Sequence, residues 1–283
     1  MNICLFSENE IECSEPFLSF SDKRCEHILK VLHKTQGDSF TAGIIDGSSG
    51  EALITRIDEE EKKLFFKFTA GGNGKPLNPL KMIVGFPRPI QLRRLLRDVA
   101  ALGVSELYLT GTELGEKSYM QSDLAEPEKV RELLLEGTVQ AGSTHVPKVF
   151  IYKSLQECLC ALNEMRSLSK SKGLEEPGSL SQSKGEEAEL LLCLDNINPE
   201  CSLDSAVAHF VVAPELVEGP HPQIAPPQVI AAIGSERGWT DKERKLMEDA
   251  GFIRCGMGER IMRTETAVTV AGAIILNSMG VLK

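Results

Sequence analysis

The alternation of apolar and polar positions changes period once along this 283-residue chain, near residue 70. Before that point the runs DSFTAGIID, EALITRID and KLFFKFTA alternate apolar with polar residues, and turn-forming or charged stretches separate them. Period-two alternation predicts half-buried strands. Asp46-Gly47, followed by Gly50, is hairpin chemistry, because glycine accepts positive φ at no steric cost. One helix is predicted inside this stretch, over SDKRCEHILKVLH. It turns Ile28, Leu29, Val31 and Leu32 toward a core, and Lys23, Arg24, Lys30 and Lys34 toward solvent. Together these elements predict a small β-barrel over residues 1–72.

GGNGKPLNP at 71–79 reads as a linker, and an α/β domain is predicted over residues 76–283. KMIVGF is a buried-strand run, PIQLRRLLRDVAALG an amphipathic helix with Leu92, Leu95, Leu96 and Val99 on one face, and VSELYLT the next strand. This β-α-β order predicts a parallel sheet with a right-handed crossover. A helix at EPEKVRELLLEGTVQ, a strand at VFIY and a helix at SLQECLCALNEM continue the pattern. The polar stretch 167–189 predicts a surface loop and the proline-rich stretch 212–227 a second one, with strands at ELLLCLD and QVIAAIG. A capped helix, the strand FIRCGM and a final apolar helix close the chain.

Composition narrows the class. Apolar residues make up 42% and charged residues 25%, the balance of a soluble globular protein. VTVAGAIIL is about half of the roughly 20 residues that a membrane span requires. The acidic start MNICLFSENEIE lacks a basic n-region and a long apolar core, so the expectation is a cytoplasmic protein without a signal peptide or membrane partner. The eight cysteines show no C-x-x-C pair. Several sit in apolar runs, where cysteine behaves as a small core hydrophobe, and no metal site is expected. The net charge of −10 argues mildly against nucleic acid, although a local basic face can dock RNA on an acidic protein. Arg93, Arg94 and Arg97 on one helix with Arg88 just before it, and Arg24, Lys30 and Lys34 on the other, are candidates for such a face. Each cluster also reads as an ordinary solvated surface.

Two late segments carry candidate chemistry. In QVIAAIGSERGWTDKE a buried strand runs into Gly234 and Gly238, and Thr240 with Glu243 forms a capping box for the next helix. Glycines in such a turn let a ligand approach backbone N–H groups at a helix N-terminus. The dinucleotide fingerprint and the phosphate loop are both absent, and on local chemistry a ligand-free tight turn accounts for the segment equally well. In CGMGERIMRTETA, Gly256 and Gly258 end a strand, and Arg260 and Arg263 flank Ile261-Met262 before a helix with Glu265 in its first turn. Surface pairing of these arginines with glutamates is the plainer reading.

In this order, the two segments resemble those of the knotted SPOUT ribosomal RNA methyltransferases that make 3-methyluridine in small-subunit RNA, the methyltransferase E family. That family carries approximately I-G-P-E-G-G-[FW]-[ST]-x-x-E and L-G-x-R-I-L-R-x-E-T-A. The chain has Ile233-Gly234-Ser235-Glu236-Arg237-Gly238-Trp239-Thr240 and Met257-Gly258-Glu259-Arg260-Ile261-Met262-Arg263-Thr264-Glu265-Thr266-Ala267. His27 through Leu32, followed by Gly37-Asp38, is similar to the family's N-terminal signature, so the likeness runs from about residue 20 to the end.

The resemblance implies a PUA-like barrel followed by a domain whose C-terminal chain forms a deep trefoil knot, overriding the general rarity of knots. It implies S-adenosyl-L-methionine (SAM) as cofactor, held by Leu194, Ile233, Gly234, Ser235, Glu236, Gly238, Met257, Gly258, Ile261 and Met262. Partners would be small-subunit ribosomal RNA, or the assembled subunit, and a second copy of the chain. Arg263 would touch the target base, Arg260 would orient RNA phosphate or the SAM carboxylate, and Glu265 would orient Arg263. Most of the rate would come from positioning and from stabilising charge on the uracil oxygens. His145, His209 and His221 lack a partner motif and are not expected to act as bases.

Ser235 replaces the family's proline, Arg237 a glycine and Arg88 a lysine, and Gln140-Ala141-Gly142-Ser143-Thr144 lacks an arginine that the family carries. Arg237, in the cofactor loop, would narrow that pocket or reach toward RNA, and the missing arginine bears on the substrate side. Together the departures keep open a paralogue with another RNA target or a knotted RNA-binding protein without activity. A nucleotide-binding α/β enzyme is the other rival, without its glycine fingerprint.

Overall fold

The computed structural model describes residues 2–172, 189–212 and 227–282. Two sheets organise them, and the change of sheet falls where the hydrophobic period changes. The first contains β1 (Cys4–Phe6), β2 (Phe17–Ser19), β3 (Ser39–Ile44), β4 (Ser49–Asp58) and β5 (Lys63–Gly72), ordered β1-β3-β4-β5-β2. A short helix α1 (Glu8–Ile11) links β1 to β2. The predicted hairpin is the antiparallel pair β3–β4, with Asp46 at φ 58° in its turn. Ala42, Ala52, Ile54, Leu64 and Phe66 alternate inward and meet Cys25 and Ile28 in one core.

The helix predicted over residues 21–33 is shorter and differently faced. α2 (Lys23–Glu26) passes directly into a π-helical turn over His27–Val31, which breaks the 3.6-residue register of the side chains that follow. Cys25 and Ile28 are buried, whereas Val31 and Leu32 stand in solvent at 58% and 40% exposure. Arg24, expected on the solvent face, is instead clamped. Its guanidinium donates to Asp22, to Glu10 at 2.6 Å and to the Leu5 carbonyl at 2.8 Å, and lies over the Phe6 ring.

The second sheet holds β6 (Asn78–Gly85), β7 (Val104–Thr110), β8 (Lys148–Tyr152), β9 (Glu189–Leu194), β10 (Cys201–Ser202), β11 (Gln228–Ile233) and β12 (Ile253–Gly256). Their order is β10-β12-β9-β11-β6-β7-β8, with every pairing parallel. On one face pack α3 (Pro89–Ala101), α4 (Pro127–Ala141), α6 (Leu203–Val212) and α8 (Thr264–Ser278); on the other pack α5 (Leu155–Lys172) and α7 (Asp241–Asp249). β6, β9 and β11 lie between helices on both faces, which is why they read as continuous apolar runs.

The loop predicted from residue 167 begins later, because α5 continues to Lys172, and most of the two predicted loops lies outside the described residues. α6 and β10 carried no prediction. No helix among the described residues is long and apolar enough to cross a membrane.

A polar seam joins the two sheets. The Asp46 N–H donates to the Thr144 carbonyl at 2.8 Å, the Val146 N–H to Asp46 Oδ1 at 2.9 Å, and Thr144 Oγ1 to the Gly47 carbonyl at 2.7 Å. Thr144 is fully buried, with its methyl group against Gly43.

Candidate functional site

Because all strands of the second sheet run the same way, their carboxyl ends open on one edge, where ligands bind in open α/β sheets. The register aligns Ile233 with Leu194 and Leu194 with Cys255. The turn after β11 and the turn after β12 therefore flank the end of β9 from its two sides, which unites the two late segments singled out in the sequence.

The first turn is held by backbone. Ser235 and Gly238 form an antiparallel bridge in which the Gly238 N–H donates to the Ser235 carbonyl at 2.9 Å. Gly85, at the end of β6, lies directly against it, and a Cβ there would sit 2.3 Å from the Ser235 nitrogen. Buried Ser235 receives a hydrogen bond from Thr112 Oγ1 at 3.0 Å, and Glu236 Oε1 accepts the Arg88 N–H at 3.0 Å. The predicted capping box is present. The Glu243 N–H donates to Thr240 Oγ1 at 3.2 Å, and the Thr240 N–H to Glu243 Oε2 at 2.9 Å. Buried Glu243 also takes the Glu113 N–H at 2.8 Å, which ties the turn to the loop after β7.

In the second turn Gly258 adopts φ 98°, a conformation that favours glycine, with open space where a side chain would stand. Met257 and Met262 are half-buried against the core, Arg260 and Arg263 are exposed, and Ile261 is 84% exposed. Arg263 occupies the N-cap of α8 without a side-chain cap bond. Glu265 is buried in the first turn of that helix and faces Arg94 of α3 at 4.0 Å, rather than Arg263. Its Oε2 is buried without a hydrogen-bond partner.

Between the turns sits Asp195, which carried no prediction. Arg244 of α7 donates from Nε to Asp195 Oδ2 at 2.6 Å, and this hydrogen bond raises the pKa of the guanidinium despite its partial desolvation. An acidic residue ending an apolar strand was the available signal. Gly111, Thr112, Gly115, Glu116, Lys117, Met120 and Gln121, from a segment after β7 that carried no prediction either, help line a cleft of about 590 Å³, and Thr112 joins it to the first turn.

The predicted basic face divides. Arg88 is the N-cap of α3, Arg93 and Arg94 lie in its first two turns, and Arg94 faces Glu265 of α8 at 4.0 Å. Arg88 also donates from Nε to the Tyr119 hydroxyl at 3.1 Å, and Arg97 is paired with Glu136. Around the first sheet Arg24 is committed internally and Lys30 pairs with Glu26 at 3.0 Å, while Lys34 is half-buried. His145 bonds Thr144 and His209 the Ser205 carbonyl, while His221 lies outside the described residues. Among the described residues no group of three or more His, Cys, Asp or Glu stands ready to hold a metal.

A parallel three-layer domain with two such turns at one edge is the class that the comparisons name: the family described as RNA methyltransferase domain matches residues 73–194 and 196–276. The ribosomal RNA small subunit methyltransferase E of Treponema pallidum is 38% identical, over 98% of this chain and 91% of that protein. A ribosomal RNA small subunit methyltransferase E 1 of Borreliella burgdorferi is 29% identical, over 98% of each. The chain belongs to the ribosomal RNA small subunit methyltransferase E family. The fold agrees with the crystal structure of the Neisseria gonorrhoeae enzyme bound to S-adenosyl methionine, at TM-score 0.64 and 21% identity, covering 98% of this chain and 97% of that one. A methyltransferase of Legionella pneumophila with bound SAM gives TM-score 0.65 at 19% identity, covering 98% of each.

Proposed function

We propose that the chain transfers a methyl group from SAM to N3 of a uridine in small-subunit ribosomal RNA. The observation that carries this reading is the pairing of the two family turns on either side of β9. Membership of the family supports the reaction class, and the match to the second motif supports the uridine target. The residues present fit a bent nucleoside cofactor. Gly238 and Gly258 leave open space where a side chain would stand, and Leu194, Ile233, Met257, Ile261 and Met262 supply apolar walls. We assign cofactor contacts to these residues and to Gly234, Ser235 and Glu236.

Bound there, SAM supplies an electrophilic sulfonium methyl. The protein's part is to hold N3 in line with it and to stabilise the charge that appears on the uracil oxygens as the N3 proton leaves. We assign the base contact to Arg263 and phosphate or carboxylate orientation to Arg260. Glu265 faces Arg94 at 4.0 Å, and its buried, unpartnered Oε2 is the acceptor we assign to Arg263 in the RNA complex. Arg88, Arg93 and Arg94 extend the basic face.

The finer architecture belongs to the same reading. Residues 1–72 form a PUA-like RNA-binding barrel, and residues 76–283 a methyltransferase domain with a trefoil knot. The insertion of β11 between the earlier strands β6 and β9 supports threading of the C-terminal chain. The working form is a cytoplasmic homodimer without metal. Mass mapping of ribosomal RNA from a deletion strain, before and after incubation with the protein and SAM, tests the target. Restoration of one N3-methylated uridine is expected, and an unchanged RNA overturns it.

A further inference from the structure

We infer that the cleft beside the first turn is a second nucleotide site, which takes an unpaired RNA nucleotide near the one being methylated. The inference rests on the RNA methyltransferase reading and concerns the substrate, not the methyl donor. The cleft lies at the carboxyl ends of β6, β7 and β8, and its volume, about 590 Å³, suits a nucleotide-sized ligand. Its walls are largely apolar. Phe86 and Tyr152 contribute rings, Met120 a polarisable sulfur, and Ile151 stands 40% exposed within it. The Tyr152 ring is fixed from behind by stacking on Tyr108, with centroids 6.3 Å apart and planes 13° from parallel.

Charge selects the occupant. Lys117 and Lys153 line the cleft, both are exposed, and neither ammonium has an ion pair among the described residues. A largely apolar cleft carrying aromatic rings and two unpaired cations matches a base with its phosphate, since single-stranded RNA is recognised by stacking together with phosphate contacts. Glu116 lines the same cleft and adds an acceptor for a base N–H. The site is also coupled to the proposed donor pocket. Thr112, in its wall, donates to Ser235 of the first turn at 3.0 Å, and Tyr119 receives the Arg88 side chain. A nucleotide seated here would therefore press against the loop that is proposed to hold SAM.

The test uses the full-length protein and a short single-stranded RNA carrying 5-iodouridine. Irradiation with mass-spectrometric mapping is expected to cross-link Tyr152, Met120 or Phe86. The double variant Lys117→Ala/Lys153→Ala should bind this RNA about tenfold more weakly, and its salt slope should fall by about 1.4, at about 0.7 per lost phosphate contact. Tyr152→Leu should weaken binding about tenfold through lost stacking. Calorimetric SAM affinity should stay unchanged in all three proteins. RNA binding within twofold of wild type in both variants, or cross-links confined to other surfaces, overturns the inference. So does a wild-type protein that binds SAM but no RNA, and that outcome leaves the donor site standing. Failure to bind SAM with the cross-links present is a different result: it ends the methyltransferase reading and leaves the nucleotide cleft.

Discussion

Arg244 and Asp195 form a buried ion pair, 2.6 Å from Nε to Oδ2, with side chains 10% and 2% exposed, that fastens α7 to the end of β9. The Asp195 N–H also donates to the Cys255 carbonyl at 3.0 Å, so a single residue braces both turns of the site. Arg244 also donates to exposed Asp241 at 2.7 Å, whereas Asp195 has no other cation among the described residues. Removing Arg244 therefore strands a buried charge, which costs about 3–5 kcal/mol. Arg244→Leu should lose about that much stability in urea denaturation and weaken SAM binding. An isosteric apolar pair at both positions should recover the stability.

The contact of Gly85 with Ser235 leaves no room for a side chain, because the obstructing atom, 2.3 Å from the would-be Cβ, is backbone. Gly85→Ala must displace the first turn. A stability loss of about 1–3 kcal/mol is expected, as for other overpacked sites, with at least a tenfold fall in SAM affinity by calorimetry. Unaltered affinity would mean that the turn does not hold the donor.

Thr144 belongs to the segment that lacks the family's arginine. It is buried in the seam between the sheets, its hydroxyl bonded to Gly47 and its methyl group against Gly43, a setting without space for a long cation. Thr144→Arg should cost more than about 3 kcal/mol through a buried unpaired charge. Thr144→Ser, which keeps the hydroxyl, should cost about 1 kcal/mol. Thermal denaturation of both variants decides this.

Thiol chemistry follows burial. Desolvation pushes the Cys158 thiol up to about 12. It does the same to the Cys193 thiol, also to about 12. Cys4 rises to about 12 chiefly by burial, with Arg24 opposing the shift. A raised pKa keeps the thiol protonated and unreactive through neutral and mildly alkaline pH. Iodoacetamide at pH about 8 should therefore modify exposed Cys13 and Cys160, and reach Cys4, Cys158 and Cys193 only on unfolding. Peptide mass mapping reads the result.

Much of this was legible from periodicity. The β6–α3–β7 unit, the capping box at Thr240 and the glycines of both late turns were written in local pattern, and each reappears in place. What was not legible depends on few residues or on long-range partners. β1, β2 and β10, at two or three residues each, are too short to display a period. The π-helical turn after α2 put Val31 and Leu32 on the wrong face. Arg24 looked like solvent-facing charge because Glu10 and Leu5, which hold it, are more than a dozen positions away. Asp195 and the cleft at 111–121 acquire meaning only when the strand ends assemble.

The central claim is that the turns at 234–240 and 257–263 jointly hold the methyl donor, and a crystal structure of the protein grown with SAM tests it most directly. One SAM per chain is predicted, lying against the backbone of Gly234, Gly238 and Gly258 with Leu194 and Met257 at its base. Donor density elsewhere, including in the cleft beside Tyr152, or no bound donor at saturating concentration, would contradict the account.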